Sequence, residues 1–108
     1  MEREVNIRQF GISIEKSIYD KVYQFGIEDA KCYCFLNKEK LRKLAVETIR
    51  AIKNGMEENV IVTKGIFNLE VAKDSCNVNF VRCPSYCVDK NDFDKLMRVV
   101  LRTINETD

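Results

Sequence analysis

The cysteines are the residues best placed to do chemistry here, because the chain has five of them and no histidine. Cys32 and Cys34 form a C-x-C pair, Cys83 and Cys87 a C-x3-C pair, and Cys76 lies just upstream of the second pair. Four thiolates, from Cys32, Cys34, Cys83 and Cys87, can hold zinc tetrahedrally. The spacing argues against it. C-x-C on a strand sends both sulfurs to one face, and neither pair has the two-residue loop of a zinc knuckle. The competing reading, that these cysteines are small buried hydrophobes, is the commoner fate of the residue type and is the one expected here. They are expected to be reduced thiols, and neither metal nor cofactor is expected.

Nucleophilic catalysis has little support. A cysteine nucleophile needs a base or a depressed pKa. Cys87 precedes Asp89 by two residues, and that carboxylate opposes a thiolate. The acidic pairs Glu28–Asp29 and Asp92–Asp94 fall in a connection and at a helix start, where acids are expected for dipole reasons. The four glycines are dispersed, so no phosphate-cradling loop exists. The chain is expected not to be an enzyme.

Binding is the better class. Lys38, Lys40, Arg42, Lys43, Arg50 and Lys53 face only Glu39 and Glu47 along one stretch, so a helix there has a basic solvent side. Tyr19, Tyr23 and Tyr33, with Phe25 and Phe35, offer rings on which unpaired bases can stack. If single-stranded nucleic acid is the partner, Arg42, Lys43, Arg50 and Lys53 with Tyr19, Tyr23 and Tyr33 form the site. The plainer reading is a solvated helix face over an aromatic core. The net charge of +1 supplies no global attraction for nucleic acid or an anionic surface.

The elements that position these residues are readable from periodicity. Phe93, Leu96, Met97, Val100, Leu101 and Ile104 recur at helical spacing, with Asp89 as N-cap and Val88 before it. A shift of 52 positions lays Leu41, Leu44, Ala45, Ile49 and Ile52 on the same stripe, Asn37 on Asp89, and Arg50 on Arg102. Both helices follow a short Tyr-Cys run, Tyr33-Cys34 and Tyr86-Cys87. Duplication of a unit, residues 1–55 and 56–108, and two independent amphipathic helices both fit this pattern.

Upstream of the first helix, which runs from Lys38 to about Lys53 and is ended by Asn54-Gly55, Glu4 to Phe10 alternates as a strand. Phe10-Gly11 turns, and Ile12 and Ile14 open a second strand. Ser17 to Phe25 fits either a short helix capped by Ser17 or a strand, and the second half favours strand by analogy. Lys31 to Leu36 is a further strand. After the polar link Met56 to Asn59, strands are expected over Val60 to Thr63, Ile66 to Lys73 with a turn at Lys64-Gly65, and from Cys76 to Phe80.

The expected fold is therefore α+β: a mainly antiparallel sheet covered by two amphipathic helices, in a single domain spanning residues 1–108, with pseudo-twofold symmetry if the duplication is real. A strand meander running into a capped helix, repeated, resembles the layout of Pur-alpha and whirly-type single-stranded nucleic-acid binders. That resemblance lies in element order and implies the nucleic-acid reading.

The expectation placed first is a small non-enzymatic protein acting through protein contacts: an adaptor, an assembly subunit, or a small inhibitor of the kind mobile elements encode. Exposed edges at Glu4 to Phe10 or Val60 to Thr63 favour a homodimer. No apolar run is long enough to span a bilayer and the N-terminus lacks a signal-peptide pattern, which predicts a cytoplasmic protein with no membrane partner.

Overall fold

The computed structural model describes residues 3–28, 31–54, 60–63 and 67–106. Strands β1 (Arg3–Gln9), β2 (Ile12–Ser17), β3 (Val22–Ile27) and β4 (Tyr33–Asn37) lead into helix α1 (Lys38–Lys53). Strands β5 (Val60–Thr63), β6 (Phe67–Val71), β7 (Ser75–Phe80) and β8 (Tyr86–Asp89) then lead into α2 (Lys90–Glu106). The fold is α+β. Its antiparallel strands form two separate four-stranded sheets, each a meander in chain order, where a single sheet had been expected. Element order repeats, which is a statement about architecture and not about ancestry. The helix stop at Gly55, the link Met56 to Asn59, the turn at Lys64-Gly65, Ile66 and Asp29 lie outside the described residues.

Local sequence accounts for the turns and ends. Gln9 pairs with Ile12, leaving a two-residue turn in which Phe10 and Gly11 have φ of 55° and 80°. Positive φ at both central positions suits the right-handed twist of a hairpin, and Gly11 takes it without a Cβ penalty. The ambiguous stretch after Ser17 resolves as a turn followed by β3. Tyr23 and Phe25 alternate into the core while Ile18 is left exposed, and the Tyr19 N–H donates to Ser17 Oγ at 3.2 Å. Burying two large rings on one strand outweighs a short helix that would bury fewer.

Both helices start as their caps predict. Lys40 N–H donates to Asn37 Oδ1 at 2.7 Å, and the N–H groups of Asn91 and Asp92 donate to Asp89 Oδ1 at 2.9 and 3.3 Å. Each cap satisfies first-turn donors that the helix itself cannot, worth about 1 kcal/mol apiece.

One contiguous core joins the halves, with α1 and α2 packed against each other and each helix also reaching strands of the other half. Phe25 of β3 and Phe80 of β7 meet across this seam at a ring-centroid distance of 6.2 Å. Thr48, the one buried polar side chain among the described residues, donates to Leu44 O at 2.7 Å, so its burial leaves no orphaned hydroxyl. Tyr86 crosses the seam as well, its hydroxyl donating to Phe10 O at 3.1 Å. A Cβ on Gly11 would collide with that hydroxyl, so glycine is required there on two counts.

Cys32 and Cys83 form a disulfide between the halves, with Cα atoms 6.2 Å apart and 51 positions between them in sequence. This corrects the expectation of reduced thiols for these two residues. Each lies just before the last strand of its half, where the two chain segments come together at the seam.

Candidate functional site

Among the described residues the thiols do not gather into a metal-binding set. With Cys32 and Cys83 bonded to each other, and no cluster of three or more potential ligands among the described residues, the set Cys32, Cys34, Cys83 and Cys87 does not converge on a metal. The physical reason is strand alternation: Cys34 points into the core, whereas Cys87 is exposed on the outer face of the second sheet. Burial pushes the Cys34 thiol up to about 12 and the Cys76 thiol likewise to about 12. Burial therefore favours the protonated thiol at neutral pH for both.

What remains is surface. Along β3, Tyr23 and Phe25 point inward, so Val22, Gln24 and Gly26 face out. Their partners on β4 are Asn37, Phe35 and Tyr33. Phe35 is 56% exposed and Tyr33 48%, and their rings meet edge to face at 5.7 Å. Gly26 makes room for Tyr33, because a Cβ there would come within 2.6 Å of the Tyr33 Cβ. Arg8, Ser13 and Glu15 continue the same outer face onto β1 and β2. The Arg8 guanidinium donates to Glu15 at 2.7 Å and lies 3.8 Å from Glu28. Tyr19, 82% exposed, stands in the turn between β2 and β3.

The sequence-derived site residues therefore divide. Tyr23 is 1% exposed and belongs to the core, as does Phe25; neither can offer a ring to a partner, which corrects their assignment as stacking residues. Tyr19 and Tyr33 are available. Arg42, Lys43, Arg50 and Lys53 are all exposed on α1. That helix packs on the inner side of the sheets, so its solvent face looks away from Tyr33 and Phe35. The cations and the accessible rings do not share one face.

Arg50 and Lys53 instead line a groove of about 680 Å³ between the two helices. Its other walls are Val46, Ile49 and Asn54 from the α1 end, and Arg98, Leu101 and Arg102 from α2. Arg42 and Lys43 stand outside it. Sequence reasoning did not place Arg98 or Arg102 in any site and so missed this second wall. The 52-position match of Arg50 to Arg102 and Ile49 to Leu101 was the available signal, since equivalent positions on two helices packed side by side can face each other.

No protein family, curated protein or solved structure matches this chain.

Proposed function

We propose that the chain is a small non-enzymatic binding domain that acts through protein contacts, with the outer face of its first sheet as the contact surface. The observation that carries this reading is the exposed pair Tyr33 and Phe35 beside Val22, on a sheet face that is otherwise polar. Folding needs only the inward set, Tyr23, Phe25, Cys34 and Leu36, so large apolar groups on the outward side invite a second surface. Adaptor, assembly subunit and small inhibitor all fit such a module. A homodimer fits too, because β1 and β5 stand at sheet edges among the described residues.

The test is capture of a native partner by wild-type protein and by the Tyr33→Ala/Phe35→Ala double variant, with chain mass read by light scattering. The double variant should lose the partner while its thermal midpoint stays unchanged, since exposed rings contribute little to stability. A partner retained by the variant moves the contact surface elsewhere.

Single-stranded nucleic acid is the second reading, favoured by the same two rings, which present π-faces on which bases can stack. Against it stand the engagement of Arg8 by Glu15 and the placement of the α1 cations on the far side. Anisotropy against single-stranded DNA and RNA at two salt concentrations separates the readings. Binding that weakens steeply with salt and disappears in the double variant supports nucleic acid.

Cytoplasmic residence belongs to this proposal. Among the described residues no helix is long and apolar enough to cross a membrane. In the cytoplasm the glutathione pool opposes disulfides, so the partly buried Cys32 and Cys83 would stand there as a dithiol. Thiol labelling of freshly lysed host cells reads both points: label on Cys32 and Cys83 supports the cytoplasm, and protection of both supports an oxidising compartment.

A further inference from the structure

We infer that the groove between α1 and α2 is a docking site for an acidic amphipathic helix. This surface lies on the opposite side of the molecule from Tyr33 and Phe35, and the inference stands whether or not that face binds a partner.

The groove has the two features such a ligand requires. Its apolar residues are Val46, which is 36% exposed, with Ile49 and Leu101, both partly buried against the core. Its charged residues are Arg50, Lys53, Arg98 and Arg102, and among the described residues no acidic side chain lines it. Arg98 is held by Asp94 at 2.9 Å, whereas Arg50, Lys53 and Arg102 make no ion pair among the described residues.

Geometry favours a helix over other anions. Val46, Ile49, Arg50 and Lys53 recur at i, i+3, i+4 and i+7, and Arg98, Leu101 and Arg102 at i, i+3 and i+4, so each wall is one stripe of a helix. An apolar seam with a cationic row on either side complements a helix whose apolar stripe points down and whose flanks are acidic. Helix-in-groove recognition uses this pattern of anchors at helical spacing. A lipid chain needs an enclosed slot, while this groove is open to solvent along its length. An unpaired nucleic-acid strand needs stacking rings, and no aromatic residue among those described lines the groove.

The probe is a fluorescent, end-blocked synthetic peptide of about 16 residues, with leucines on one stripe and glutamates on both flanks. Titration of the oxidised, full-length protein should show saturable binding that weakens with salt. The scrambled peptide of identical composition should bind at least about tenfold more weakly. Arg50→Glu/Arg102→Glu should lower affinity by about tenfold or more, and Val46→Ser should lower it without altering the salt dependence. Tyr33→Ala/Phe35→Ala should leave peptide binding unchanged. Equal binding of the scrambled peptide, or full binding by Arg50→Glu/Arg102→Glu with its circular dichroism intact, overturns the inference. So does tighter binding of an oligothymidine strand or of phosphatidylserine vesicles that is lost in the same variant, because the groove would then be a site for those anions.

Discussion

The two halves of the molecule share an element order and distribute their bulk in opposite ways. In the first half β3 carries the large rings Tyr23 and Phe25, and the facing helix buries Leu41 and Leu44 with the smaller Ala45, Thr48 and Ala51. In the second half the strand positions matching Tyr23 and Phe25 are Cys76 and Val78, while α2 supplies Phe93, Met97 and Val100. A folded interior is packed to nearly constant density, so volume withdrawn from one layer must return in the other. Tyrosine and cysteine trade strands in the same way: register places Cys34 opposite Phe25 and Tyr86 opposite Val78. The outer faces differ as well. The first sheet shows Tyr33, Phe35 and Val22, and the second shows Asn68, Asn77 and Asn79 with Cys87, its amides tied locally by bonds such as Asn77 Nδ2 to Glu70 at 3.3 Å. What the halves teach is that this architecture fixes the total volume inside and leaves the outside free to diverge.

The comparison breaks most readily at the rings. Phe25→Ala should cost about 3–5 kcal/mol by urea denaturation, and Val78→Ala distinctly less. Equal losses would mean that the first sheet does not carry the bulk of its half. Next comes the seam. Cys83→Ser should lower stability by about 2–4 kcal/mol, a reductant should lower the wild type by the same amount, and Cys87→Ser should change nothing. Reversing the packing tests the comparison from the other side: Ala45→Met, which brings the side chain of the matching Met97 into the first half, should overpack it by about 1–3 kcal/mol.

The gentlest test uses pH. Cys34 and Cys76 hold their protons to about pH 12 when folded, while the unfolded thiols release theirs near 9.0. Unfolding therefore releases protons between these values, so stability is level below pH 9 and falls as pH rises towards 12. Each thiol adds a slope approaching about 1.4 kcal/mol per pH unit. Replacing either cysteine by alanine should remove half of the slope if the halves are equivalent in this respect.

Much of the fold was legible because its signals are local. Asn37 and Asp89 are caps whose partners lie three residues on or fewer, and the stripe from Phe93 to Ile104 is a periodicity that needs no tertiary knowledge. The functional surface was less legible. Between Lys31 and Leu36 both strand faces are apolar, Tyr33 and Phe35 on one and Cys34 and Leu36 on the other, so alternation does not say which turns inward. Tyr23 was misread although Tyr23 and Phe25 alternate with Gln24 and Gly26, because a tyrosine at an inward position reads equally as a core ring or a stacking ring. The Cys32–Cys83 bond and the groove both join residues from separate halves, and no window of sequence contains either.

The seam disulfide also changes what a broken chain would be. Any single backbone cut between Cys32 and Cys83 leaves the two pieces tethered, and a cut between α1 and β5 gives each piece one sheet and one helix of the fold. Such a nicked molecule migrates as one species on a denaturing gel until reductant is added, and then as two. A protease could open any connection within that span without releasing a fragment.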